Sequence, residues 1–393
     1  MKYLHSIDQN KYHYIIGGAG LSGLTLAYKM HDKGLLKNKK LLLIDPSQKT
    51  KNDRTWSSWY KKLPGLTNLP IKKEWKQANF RTINGSHLEN ISPYKYGSIE
   101  GIDYYDFVKA ELTKNENIDW LLSEITSDEP EIQMVTTNAG KVAYDEYFFK
   151  SNFYADELPF LISKMNFDKY FLWQHFLGYK VRFKTPMFKP EQFTYMDLRV
   201  PQRSGLSFVY VLPESPTLGL IEYTLFNQEV LERQTYEQVL DAYILENYGT
   251  SDYEIESVEY NKIPMTTALN EKKSHNRIPI GTLAGVVKAS TGYTFIRNQQ
   301  HTDFIVKQLS LGKKDFEFKR SMRHTFFDKV LINVLAVEVD KGQLIFSMML
   351  EKNGLKFLFK FLNEETSIWE DFKIMNSVPK WPFIKSVWRS FFY

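Results

Sequence analysis

Cysteine is absent from this chain of 393 residues. Its absence excludes a disulfide framework, a thiolate-bound metal and a cysteine nucleophile, and it suits a reducing compartment. Also missing is any apolar run approaching the roughly twenty residues needed to cross a bilayer. Residues 1–12 are polar, with no signal-peptide core. The expectation is a cytoplasmic protein, soluble or peripheral on the cytoplasmic membrane, not one threaded through it. The eight histidines lack metal-ligand spacing, so no metal site is expected. A net charge of +5 is too mild for a nucleic-acid partner, although it permits attraction to anionic lipid. Internal repeats and low-complexity tracts are absent as well.

Aromatic residues are plentiful. The 28 Phe, 24 Tyr and 8 Trp make up 15% of the chain, which points to a thick core or a long apolar cavity. Hydrophobic content of 43% and charged content of 25% are globular values. The length allows two or three ordinary domains.

Residues 14–17 form a short β-rich run that stops at glycines. The glycine loop Gly18, Ala19, Gly20, Leu21, Ser22, Gly23 follows, and then residues 24–30, apolar at helical spacing, with Gly34 as the stop. Residues 40–45 read as a second buried strand ending in Asp45. Strand, glycine turn, helix, strand and acid is the order of a dinucleotide-binding βαβ unit. Gly18 permits the tight turn, Gly20 lets backbone approach a pyrophosphate, and Gly23 lets helix pack on strand. Phosphate would sit on the helix N-terminus, and Asp45 would accept from ribose hydroxyls. An acid there disfavours a 2′-phosphate, which leaves FAD or NAD.

Beyond that unit, residues 70–145 are loosely patterned. Residues 153–260 read mainly as strands, at 180–183, 193–200, 206–212 and 218–226, with a helix at 236–247. Residues 278–281 look like a return to the first domain. From 291 the chain reads as helical, with apolar clusters at 330–339, 344–350 and 355–362. The expected fold class is α/β: a Rossmann-like FAD/NAD(P)-binding domain, a β-rich substrate domain and a C-terminal helical segment. The expected boundaries are 1–150 with 262–310 for the cofactor domain, 151–261 for the substrate domain and 311–393 for the tail.

Residues 280–292 carry a second cofactor signal. Gly281, Thr282, Gly285 and Gly292 form a turn that lets backbone approach a planar ring, and a helix dipole beginning after Gly292 suits an anionic flavin. A return to the cofactor so far downstream favours FAD over NAD. A plain strand-to-helix connection is the alternative. Arg54, just after the ribose strand, either contacts cofactor phosphate or flavin, or lies in a solvated loop.

Glu222 lies in LGLIEYTLF (218–226), where residues 220, 222, 224 and 226 share one strand face. An apolar setting raises a carboxyl's pKa and yields a neutral acid able to donate a proton. A solvent-facing or ion-paired glutamate is the other reading. Asp197, two residues before Arg199, reads as half of a structural ion pair. Glu214, after Pro213, reads as an exposed turn residue. His175 stands out among the histidines as a candidate channel residue.

The N-terminal unit followed by NDRTW (52–56) resembles the bacterial lycopene β-cyclase family of FAD proteins. The resemblance continues in order through LWQHFLG (172–178), FTYMDLR (193–199), YVLPESPT (210–217), LIEYTLF (220–226), IPM (263–265), IGTLAG (280–285) and STGYTF (290–295). The tail matches more loosely, best at FLNEET (361–366). Ser57 and Ser58 precede Trp59 where the family usually has Cys-Phe. Residues 148–152 depart from the family's VFNSR-like strand, and Leu283 stands where a small residue is usual.

The resemblance implies a non-redox isomerisation in which the ends of linear lycopene, or a related linear carotenoid, close to β-ionone rings. It implies FAD in reduced form, with NAD(P)H as the electron source, and Glu222 as the acid. Such chemistry requires a proton donor for an alkene, an electron-rich surface for a carbocation, a base and a dry apolar tunnel. A flavin monooxygenase or dehydrogenase acting on a lipophilic substrate is the alternative, since one cofactor fold hosts many chemistries. A carotenoid-binding flavoprotein without turnover is a third reading. A lipid-soluble substrate also makes a membrane surface an expected partner. The basic, aromatic stretch 355–362 (Phe357, Phe361) suits that role, and equally suits core packing. Oligomeric state stays open.

Overall fold

The computed structural model describes residues 1–7, 11–63, 65–66, 68–154, 157–164, 167–203 and 205–392. Strands Tyr12–Gly17 and Leu41–Ile44 are apolar almost throughout because both faces of their sheet are covered. They lie parallel at its centre. The order runs Lys2–Leu4, Ile118–Leu121, Leu41–Ile44, Tyr12–Gly17, Gly140–Lys150, Met134–Thr137, Ile125–Glu129. The short strand Arg277–Pro279 also pairs in parallel with Gly140–Lys150, so the chain does return to this sheet after the middle region. Helix Leu21–Asp32 covers one face, and helix Phe295–Ser310 packs on it. Buried Lys29 ties the two together through the Gln299 carbonyl at 2.7 Å and Asp303 at 2.7 Å.

The second sheet has seven strands, in the order Tyr253–Met265, Leu172–Phe183, Leu218–Asn227, Leu206–Pro213, Gln192–Asp197, Gln77–Thr82, Gly85–Asn90. Period-2 alternation gives it two different faces. Ile221, Tyr223 and Leu225 pack against helix Arg233–Tyr248. Leu220 and Phe226, with Phe208, Tyr210 and Leu212 of the neighbouring strand, face a large core completed by the C-terminal helices. A three-stranded sheet, Thr55–Tyr60, Lys95–Glu100 and Lys73–Trp75, contributes to that core.

This topology differs from the expected boundaries in two places. Residues 77–90, assigned to the first domain by position, form a hairpin on the second sheet, with Gln77–Thr82 parallel to Gln192–Asp197. Such a pairing spans more than a hundred residues and leaves no local pattern. Strand Tyr253–Met265 also runs through the expected boundary at 261. The tail is helical, with Met322–Val337, Gly342–Leu362, Ile368–Ser377 and Lys380–Phe392. The third of these begins with a reciprocal cap between Ser367 and Glu370. Gly354, at φ 71°, breaks the long helix so that Leu355, Leu358 and Phe359 turn into the core against Trp59 and Tyr195. Phe357 and Phe361 pack at the edge of the same core.

Candidate active site

At the glycine turn, Gly18 takes φ +96°, a conformation that suits only a residue without a Cβ. A Cβ at Gly23 would come within 2.0 Å of the Gly18 carbonyl oxygen, so helix and turn touch there. Gly20 is different: a Cβ there would meet no protein atom within 4 Å. The helix behind it has neither a side-chain cap at Gly20 nor an acid in its first turn. Uncapped N–H groups at the helix start, beside open space, fit a phosphate group. Asp45 accepts the Ala19 N–H at 2.8 Å and the Ser47 N–H at 2.8 Å, which binds the acid strand to the turn. Ser22 faces the return segment, and a Cβ on Gly281 (φ +63°) would lie 2.6 Å from its hydroxyl oxygen.

Beyond this turn lies a cavity of about 240 Å³ between the two sheets. Arg54, Thr282 and Gly292 line it on one side, and Glu222, Phe176, Tyr210 and Leu220 of the seven-stranded sheet line it on the other. The tertiary structure thus gathers an arginine from the first domain, two residues of the return segment and the strand glutamate around one space. Gly285 lies outside that lining; its carbonyl accepts from Arg320 at 3.0 Å. Gly292, at φ +72°, abuts the Gln174 side chain. Asp53 holds Arg54 at 2.9 Å, and Asp53 in turn accepts from the Tyr105 hydroxyl at 2.8 Å.

Glu222 occupies the apolar face of its strand, where burial is the main force on its carboxyl. Burial, reinforced by the like charge of Glu259, outweighs the hydrogen bond from Thr224 Oγ1 at 2.8 Å. The carboxyl is pushed up to about 8 and therefore carries its proton at neutral pH. Four phenols crowd the same region. Tyr96 and Tyr293 hydroxyls lie 2.9 Å apart, Tyr210 and Tyr293 3.3 Å apart, and Tyr195 packs edge-on to Tyr96 and Tyr210. Burial holds all four above the ordinary phenol range, so they remain neutral.

Two residues of this site escape sequence reasoning. Gly178 pairs with Glu222 on one side and with Glu259 on the other, so the two glutamates flank a glycine in one cross-strand row. A Cβ at Gly178 would stand 3.3 Å from the Glu222 side chain. Glu259 is buried and accepts from the Thr55 N–H at 2.8 Å and the Thr55 hydroxyl at 2.5 Å. Burial raises its pKa against those two bonds. Only strand register reveals this row. Local sequence offers a glutamate five positions before Pro264 and nothing more.

The other candidates fall elsewhere. Asp197 is fully buried and bonded to Arg199 at 2.8 and 2.9 Å, to Arg81 at 3.1 Å and to Tyr243 at 3.0 Å. Burial pushes its pKa up, but the Arg199 bonds and the charges of Arg199 and Arg81 outweigh it and leave it lowered. Asp197 is an ion-pair residue, as its spacing to Arg199 implies. Glu214 is not an exposed turn residue: it is half-buried and pairs with Lys180 at 3.0 Å. His175 points to the opposite face of the sheet, hydrogen-bonded to Tyr236, and burial lowers it to about 4. A neutral histidine packed beneath that helix is no channel residue. Among the described residues no cluster of His, Asp and Glu is suited to a metal.

The family model described as lycopene cyclase protein matches residues 14–387. No curated protein matches the chain significantly in sequence. Among solved structures, a geranylgeranyl bacteriochlorophyll reductase-like protein from Thermoplasma acidophilum aligns at TM-score 0.59 with 12% identity, over 96% of this chain and 98% of that one. The OxyS anhydrotetracycline hydroxylase from Streptomyces rimosus aligns at 0.54 with 13% identity, over 90% of this chain and 76% of its own. PqsL of Pseudomonas aeruginosa, a probable FAD-dependent monooxygenase, aligns at 0.52 with 11% identity, over 90% and 100%. At such identities the likeness is one of fold, the Rossmann-like α/β fold.

Proposed function

This chain belongs to the lycopene cyclase protein family, and on that premise we propose that it folds the ends of a linear carotenoid, lycopene or a close relative, into β-ionone rings. FAD is the proposed cofactor, held by the glycine turn with Asp45 and approached by Arg54, Thr282 and Gly292. The observation that carries the reading is Glu222, a carboxyl still protonated at neutral pH on the wall that faces those cofactor-side residues.

Glu222 delivers its proton to the terminal double bond of the polyene. The tertiary cation so formed is attacked by the next double bond, which closes the six-membered ring. Loss of one ring proton leaves an isomer, so atoms balance and no electrons are transferred. The Glu222 carboxylate, with a pKa near neutrality, is a competent base for that last proton. Thr224 holds the carboxyl in place, and the neutral phenols of Tyr96, Tyr195, Tyr210 and Tyr293 keep the site electron-rich without a full charge. Reduced flavin, when bound, supplies the electron-rich surface that stabilises positive charge in a water-excluded space. Apolar walls from Phe176, Leu212 and Leu220 exclude water that would capture a cation.

The test is conversion of lycopene by the FAD-loaded protein under reducing conditions, with products read by mass and absorbance. Cyclisation leaves the mass unchanged, whereas a monooxygenase adds oxygen. Glu222→Gln keeps shape and hydrogen-bonding reach but is no acid. It should retain FAD and lose roughly a hundred- to ten-thousand-fold in turnover, the usual worth of a positioned acid. Turnover near the wild-type rate would move the proton source elsewhere.

A further inference from the structure

The last two helices, Ile368–Ser377 and Lys380–Phe392, leave an unusual surface. Trp369 is 82% exposed, Trp381 71% and Trp388 67%, and Ile368, Phe372 and Ile384 are each more than half exposed. Three of the chain's eight tryptophans therefore stand in solvent within twenty residues. In the last helix, Trp381, Ile384 and Trp388 recur at helical spacing on one face, while Ser386 is buried on the other. A monomeric protein rarely spends large apolar side chains this way without a partner.

The charges around the patch identify that partner. Lys373, Lys380, Lys385 and Arg389 lie within the same two helices. Their own acids are engaged: Glu370 with Lys360, and buried Asp371 with Arg323 and Thr366. Lys385 pairs with Glu338 of the preceding segment at 3.5 Å, which leaves Lys373, Lys380 and Arg389 without a carboxylate partner among the described residues. Exposed aromatics with cations and no free carboxylate match an anionic lipid headgroup layer, where indole rings settle at the interface and lysine heads meet phosphate. A second copy of this chain matches less well, because a two-fold contact would set like charges against each other. No helix among the described residues is long and apolar enough to span, so the contact is made lying flat.

We propose that helices 368–377 and 380–392 form an interfacial anchor for an anionic bilayer, with Trp369, Trp381 and Trp388 as its inserted side chains. The inference rests on the surface alone and stands whether or not the ring-closing reading holds. It places the contact beyond the stretch 355–362 expected from sequence, where Leu355, Leu358, Phe359 and Leu362 are buried in the core and Phe357 and Phe361 pack at its edge.

Flotation of the full-length, FAD-supplied protein tests it, with vesicles of phosphatidylcholine alone or mixed with phosphatidylglycerol. Binding should rise with phosphatidylglycerol and fall with salt. The triple change Trp369→Ser, Trp381→Ser, Trp388→Ser should weaken it by at least about 100-fold, because burying one large apolar side chain exceeds a tenfold change in partition. Ile83→Ser with Leu88→Ser removes exposed apolar side chains from the hairpin 77–90, outside these two helices, and should leave binding unchanged. Circular dichroism confirms that each variant is folded. Unchanged flotation of a folded triple variant would overturn the proposal, as would a wild type that ignores the vesicles. So would a wild-type dimer that the triple change converts to monomer by light scattering, since the face would then serve self-association.

Discussion

A proton kept at Glu222 when the solvent is neutral has a thermodynamic cost, and replacing the residue should expose it. In the unfolded chain this carboxyl ionises near 4.5, whereas in the folded protein it does so at about 8. Between those values the folded state binds the extra proton, so folding stability declines as pH rises. The decline starts above 4.5, proceeds at about 1.4 kcal/mol per pH unit and is complete above about 8. The accumulated cost is on the order of 3 kcal/mol at pH 7 and 5 kcal/mol at pH 9. Domains are commonly stable by only about 5–15 kcal/mol, so this is a large share. Glu222→Gln is neutral in both states and removes the slope. The variant should match the wild type at pH 5, and at pH 9 it should resist urea better by roughly 5 kcal/mol while failing to cyclise. Urea titrations of both proteins at saturating FAD from pH 5 to 9 provide the measurement, with equal slopes in denaturant checked throughout. Midpoints that run parallel over the whole range would refute a proton held at Glu222. Greater stability together with lost turnover is the outcome that a merely structural glutamate would not give.

Gly20→Val should fold normally, since a Cβ there meets no protein atom within 4 Å, yet weaken FAD binding at least about tenfold, the worth of roughly 1.4 kcal/mol. Stoichiometric flavin absorbance in the purified variant would show that phosphate sits elsewhere. Asp197→Asn should cost about 1–3 kcal/mol, the range for hydrogen bonds to a charged group with partly exposed arginine partners. Its turnover should survive at matched folding, and thermal melts with lycopene assays on one preparation separate the two effects. Because the Asp197 pKa is lowered in the folded state, its stabilisation is present above the ordinary aspartate range and is lost as pH falls below it. Melts of the wild type and the variant should therefore converge in acid.

Local sequence carried the parts whose physics is local. The glycine turn needs a strand before it, a helix after it and an acid at the end of the next strand, all within residues 12–45, and each is decided by neighbours in the chain. Asp197 and Arg199 lie two apart on adjoining backbone, so their pairing was legible in their spacing. Alternation along 218–227 placed Glu222 with Leu220 and Phe226 on one face. Tertiary structure alone decided what stands across from that face. The row Glu222, Gly178, Glu259 depends on register among three strands, and register is a matter of long-range pairing that no short window contains. Hairpin 77–90 joins the second sheet for the same reason. In the tail, residues 355–362 and 368–388 are both aromatic, apolar and basic, and composition cannot tell them apart. The break at Gly354 turns the first stretch into the core, whereas the second packs through Asp371, Ile374 and Ser386 and leaves its tryptophans facing outward. Which of two similar helices is interior depends on which face finds a partner, and partners are chosen only when the whole chain has folded.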